Sequence, residues 1–120
     1  MPTPLTRNAK LTIAQLQAAM DEFVGSRGWY GPDSEKPQEP RNLAASISLE
    51  ANEVLEWFQW SNRVEPDEVG GELADVVLYC VQLANVLGLD LGDALSRKLE
   101  LNNSRFPEVE DQQWQRRLAS

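Results

Sequence analysis

The sequence predicts an all-α protein, a bundle of four helices followed by a short helix or tail. Three observations predict it. Apolar residues recur at intervals of three and four in four separate segments. No segment shows the alternation of a half-buried strand, and no internal repeat is present. Proline, glycine and capping residues stand where those segments should begin and end. At 120 residues, 42% hydrophobic and 25% charged, the chain is one folded domain.

Residues 1–11 are a polar, proline-containing lead-in. Thr12 is the N-cap of the first helix, in which Ile13, Leu16, Met20, Phe23 and Val24 share a face. That helix should stop between Gly25 and Gly28. Trp29 to Pro40, WYGPDSEKPQEP, is a long loop with three prolines, and long loops in small domains are functional candidates. The second helix opens at Pro40 to Asn42 and should run to about Trp60. SNRVEP turns the chain, and Pro66 opens a third helix reaching about Leu87. Gly70 and Gly71 predict a kink or a late start there.

From Leu73 onward the third helix is apolar nearly all round and needs cover on several sides. One chain supplies too few helices for that, so a homodimer is expected. Gly88 ends this helix, Asp90 caps a fourth from Leu91 to about Arg105, and Pro107 stops it. The folded domain is thus residues 12–107. Residues 108–120 are a tail or short helix whose strong anchor is Trp114.

Composition excludes several functions. The net charge of −8 argues against a nucleic acid polymer as partner, which needs a basic surface. It leaves room for a single nucleotide whose phosphates are bridged to acids by a divalent cation. With no histidine and one cysteine, Cys80, the chain has no set of zinc or haem ligands and no internal disulfide. Abundant carboxylates favour a hard cation: magnesium, manganese or calcium. No signal peptide opens the chain, and the apolar run VVLYCVQLANVL is too short to span a bilayer. A cytoplasmic protein with no membrane partner is the expectation.

The second helix contains an anomaly. At ~100° per residue, Leu43, Ile47, Val54, Trp57 and Phe58 fall on one side, with Glu50 near the middle of that face and Glu53 on its margin. A carboxylate in an apolar stripe must be protonated, paired or bound to a metal. Glu72 and Asp75 repeat the three-residue step on the third helix. If the two helices are antiparallel, the pairs can face each other, and one or two divalent cations would neutralise them. Magnesium fits an all-oxygen site that leaves positions for water and phosphate. Glu56 extends the three-step from Glu53 and is a candidate base. Most such acid pairs are solvated helix charges; the position of Glu50 and the recurrence weigh against that here.

On the fourth helix Lys98, Asn102 and Arg105 share a face and suit phosphate oxygens, although a solvated face at a helix C-terminus explains them equally well. Among the aromatics, core packing accounts for Trp57 and Phe58. Trp29 in the loop and Trp60 outside the stripe are the better candidates for stacking on a base.

These residues resemble the MazG-like nucleoside triphosphate pyrophosphohydrolases, and most of all the short subgroup related to the dCTP pyrophosphatases. The resemblance covers about Trp29 to Pro107. It rests on Glu50–Ala51–Asn52–Glu53, then Glu72–Leu73–Ala74–Asp75, with PRNLA and EWFQW flanking the first pair, ELADVVLY around the second, and K-x-x-x-N-x-x-R-F-P from Lys98. It implies Glu50, Glu53, Glu72 and Asp75 as magnesium ligands, with manganese as a substitute, and Lys98, Asn102 and Arg105 as phosphate or sugar contacts. Trp29 and Trp60 become walls around the base. The implied reaction is hydrolysis of a (d)NTP such as dCTP to the monophosphate and diphosphate, with Glu53 or Glu56 acting on the attacking water. The implied role is clearing unwanted nucleotides from the pool, by a dimer or tetramer. The chain departs from the pattern twice: its loop before PRNL is expanded and lacks a histidine, and Phe106 stands where tyrosine is common. The rival expectation is a non-enzymatic helical interaction module with structural acids. A ferritin-like di-iron bundle is excluded, because it needs Glu-x-x-His ligands.

Overall fold

Capping chemistry sets the helix boundaries. The computed structural model describes residues 7–109 and contains four helices and, among those residues, no strand. Helix α1 spans Ile13–Ser26, α2 Pro40–Trp57, α3 Pro66–Val86 and α4 Leu91–Arg105. Residues 1–6 of the lead-in, and residues 110–120 of the tail with Trp114, lie outside the described residues.

Thr12 forms a capping box with Gln15: its hydroxyl accepts from the Gln15 N–H at 3.1 Å while the Gln15 side chain accepts from the Thr12 N–H at 2.8 Å. Asp90 caps α4 by accepting from the Asp93 N–H at 2.9 Å. Helices α2 and α3 each start with proline and have no side-chain cap. Helices α1 and α3 end in the same glycine-dependent motif. Gly28 and Gly88 have φ of +73° and +68°. The residue after each returns an N–H to the helix, Trp29 to the Val24 carbonyl at 3.2 Å and Leu89 to the Ala84 carbonyl at 2.8 Å. The first of these reversals turns Trp29 back onto Phe23, edge to face, with ring centroids 5.6 Å apart.

Three expectations are corrected. Helix α2 ends at Trp57 instead of about Trp60, because its last N–H groups tighten into i−3 bonds, Phe58 to Leu55 and Gln59 to Glu56. Phe58 therefore leaves the helical stripe and is 40% exposed. Helix α3 runs through Gly70 and Gly71 without a break. Neither glycine has a neighbour that a Cβ would touch.

Helix α2 packs most extensively on α3, α1 packs on α3, and α4 packs on α1. The core is small: Val24, Leu43, Val69, Val81 and Ala84 are the buried apolar residues among those described. Fully burying a side chain such as Val81 stabilises by about 1.5–3 kcal/mol. Much of the remaining apolar surface is open. Leu73, Val77 and Leu87 of the α3 segment and Leu95 and Leu101 of α4 are exposed, and Leu99 is 72% exposed. The apolar run VVLYCVQLANVL belongs to a helix of 21 residues, which by length and composition meets the test for crossing a bilayer. Length and composition of this kind are shared by core helices that other helices cover. Here α1 and α2 lie along this helix, and it carries Glu72 and Asp75.

Candidate functional site

The contacts between α2 and α3 run in opposite directions. Residues 42–46 share a pocket with residues 75–82, whereas Glu53 and Trp57 share one with Glu72. The helices are therefore antiparallel, and their acids meet. Glu50, Glu53 and Glu72 each offer a carboxylate oxygen, and these oxygens lie within 4.8 Å of one another.

Two of the oxygens are buried without a hydrogen-bond partner, Oε2 of Glu50 and Oε2 of Glu72. A buried charged oxygen with nothing opposite it is costly unless a proton or a cation satisfies it. Glu72 responds accordingly. Its carboxyl is pushed above the ordinary value of 4.5, first by the hydrogen bond it shares with Glu53, then by burial and by the charges of Glu53 and Asp75. The Trp57 side chain opposes that rise. The donor set is all oxygen, carries several negative charges and leaves two buried oxygens unpartnered. It fits a hard divalent cation.

The remaining acids lie around this centre. Glu56 borders a 360 Å³ pocket together with Glu53, Trp57 and Glu72, and its carboxylate accepts from Asn52 Nδ2 at 3.3 Å. Asp75, one turn beyond Glu72, is exposed and stands outside the three-acid cluster. It lines a second, larger pocket of about 550 Å³. That pocket runs between α1, α2, α3 and the loop, and Phe23, Trp29, Leu43, Leu78 and Tyr79 make it mainly apolar. The Lys36 ammonium sits over the Trp29 ring at 4.7 Å.

Other sequence candidates lie apart. Trp60 is 89% exposed and lines neither pocket. Lys98, Asn102 and Arg105 lie on α4, which packs on α1, and they also line neither pocket. Arg105 rests over the Phe106 ring at 5.2 Å. Two polar α3 residues of the larger pocket, Tyr79 and Gln82, carry no expectation from the sequence. Tyr79 lies in the part of α3 that is apolar nearly all round, so periodicity does not single it out. Gln82, 2% exposed, is the buried polar residue among those described. The signal that singled out Glu50, a polar group inside an apolar helix, would also have found Gln82.

A sequence model of the MazG-like family matches residues 45–118. The rat protein dCTP pyrophosphatase 1 is 30% identical over 114 residues, covering 87% of this chain and 64% of its own length. The human dCTP pyrophosphatase 1 is 32% identical over 106 residues, covering 80% of this chain and 59% of its own. This chain thus spans less than two thirds of the curated relatives it matches. A crystal structure of a pyrophosphatase from Archaeoglobus fulgidus superposes with a TM-score of 0.63 at 33% identity, covering 87% of this chain and all of that one.

Proposed function

The chain belongs to the MazG-like family, and on that premise we propose that it is a metal-dependent nucleoside triphosphate pyrophosphohydrolase. It would convert a (d)NTP and water to the monophosphate and diphosphate. The observation that carries the reading is the meeting of Glu50, Glu53 and Glu72 with two buried carboxylate oxygens left unpartnered.

Those three acids and Asp75 would hold magnesium, or manganese in its place. A cation held there would supply a Lewis acid for the α-phosphate and a lowered pKa for the attacking water. The protein does the rest. Glu53 and Glu56 border one pocket, so either carboxylate can orient that water and take its proton. The apolar pocket beginning at Asp75 would receive sugar and base, with Trp29 and Tyr79 as flat walls.

Lys98, Asn102 and Arg105 would grip phosphate or sugar, and Trp60 would wall the base, only when a second chain brings them to a pocket. The exposed leucines of α3 and α4 give that second chain a surface to cover. A dimer or tetramer is therefore part of the proposal. The relatives named for dCTP direct the substrate towards a deoxynucleotide such as dCTP, and the role towards clearing unwanted nucleotides in the cytoplasm.

The test is diphosphate release from a panel of standard and modified nucleotides in magnesium. Release should vanish in EDTA, and Glu53→Gln should lower it by at least ~10²-fold. No release from any nucleotide, or an undiminished rate in Glu53→Gln, would leave the fold as an interaction module.

A further inference from the structure

The four α3 residues that line the larger pocket, Asp75, Leu78, Tyr79 and Gln82, form one stripe at i, i+3, i+4 and i+7. An acid stands at one end and a buried amide at the other, two turns or about 10 Å apart. On the hydrolase reading, a substrate held by its charged end near Asp75 would extend its uncharged end towards Gln82.

Gln82 is the middle of a hydrogen-bonded chain whose direction is fixed from both ends. At one end the Leu91 backbone N–H, which can only donate, gives to Gln17 Oε1 at 3.0 Å. Gln17 Nε2 then donates to the Leu89 carbonyl at 2.9 Å and to Asn85 Oδ1 at 3.1 Å. Asn85 Nδ2 donates to the Gln17 carbonyl at 2.8 Å and to Gln82 Oε1 at 3.3 Å. Gln82 Nε2 donates to Tyr30 Oη at 3.0 Å and to Gln38 Oε1 at 3.1 Å. Tyr30 O–H donates to Asp21 at 2.5 Å. Asp21 ends the chain as a carboxylate, which can only accept. Each amide therefore has a single orientation, and both N–H groups of Gln82 face the loop.

Gln82 thus fastens the loop to α3 at Tyr30 and at Gln38. Trp29, Lys36 and Pro37, which wall the pocket, lie next to or between those two points. We infer that Gln82, through Tyr30 and Gln38, is the positioning residue that sets the shape of the base pocket and with it the selectivity among bases. This rests on the hydrolase reading above. Gln82 lies two turns from the acids, so its loss should weaken recognition of the base and spare the chemistry at the phosphates.

The test compares Gln82→Met, similar in length but without donors, and Tyr30→Phe, at an exposed position where folding is safe, with the wild type. In each variant KM for the preferred nucleotide should rise about tenfold, the usual weight of a buried hydrogen bond, with kcat within about twofold. The ratio of kcat/KM between preferred and other bases should fall towards one. Gln82→Glu keeps the shape but has no N–H to give, and should not rescue. Amide exchange over residues 29–39 should quicken in all three. A lower Tm with unchanged KM, selectivity and exchange would reduce Gln82 to a structural residue and overturn the inference. A wild type that hydrolyses no nucleotide overturns the hydrolase reading and the selectivity role together; the exchange measurement then decides the fastening of the loop alone. An active wild type with unaltered variants overturns this inference only.

Discussion

Replacing Glu72 by Gln separates metal binding from folding. In the native protein the Glu72 carboxyl lies against that of Glu53, and the two gather negative charge in one place. The substituted amide would keep an oxygen, remove a charge and offer an N–H to the Glu53 carboxylate. Without a cation, the repulsive pair becomes a donor–acceptor pair. The variant should then be at least as thermally stable in EDTA as the wild type. The cost appears when magnesium is added. A ligand that binds only the folded state at about 100 times its Kd stabilises that state by about 2.7 kcal/mol. At about 2.1 cal/mol/K per residue, a chain of 120 residues has an unfolding entropy of about 0.25 kcal/mol/K. The wild type should therefore gain about 11 °C in Tm under saturating magnesium, and the variant should lose most of that gain together with diphosphate release. Thermal melting by fluorescence, with EDTA and with magnesium, reads both effects. A variant that keeps the full magnesium-dependent rise, or melts several degrees lower in EDTA, would refute the placing of Glu72 in a cation site.

Two further predictions follow from local geometry. The Glu72 carboxyl holds its proton more tightly in the folded state than its ordinary value of 4.5, so in EDTA the folded protein binds more protons than the unfolded one just above that pH. Stability in EDTA should fall as pH rises from 4.5, and Glu72→Gln should flatten the slope; acid–base melting series test this, and a stability that rises across the window contradicts it. Alanine at Gly28, where φ is +73° and no atom crowds the new Cβ, should destabilise by about 1–2 kcal/mol from backbone strain alone. Alanine at Gly70 meets equally open space in a helix and should stabilise by about 0.5–1 kcal/mol; equal melting shifts for the two would refute the contrast.

How far the sequence led differs from residue to residue. The helix starts at Thr12, Pro40, Pro66 and Asp90 were legible because caps and prolines act on their nearest neighbours. The ends at Gly28 and Gly88 were legible for the same reason. The end of α2 was not, since no proline or glycine marks it and a tightened last turn decided it. The persistence of α3 through Gly70 and Gly71 was not, because glycine only weakens a helix and packing further along outweighs it. Cys80 is free, as a lone cysteine must be within one chain.

By itself the sequence determined four helical segments, their order, and the two acid pairs with their three-residue step. Periodicity and capping are local, so they survive without knowledge of the fold. Only the tertiary structure decided what those acids meet. Antiparallel packing of α2 on α3 joins Glu50 and Glu53 to Glu72 and sets Asp75 in the lining of a neighbouring, mainly apolar pocket. It also left the α4 cations and Trp60 outside both pockets within one chain, and it drew Gln17, Asn85, Gln82 and Tyr30 into one directed network. Contacts between residues up to 74 apart in the chain carry no periodic signature, so that network came into view only with the fold.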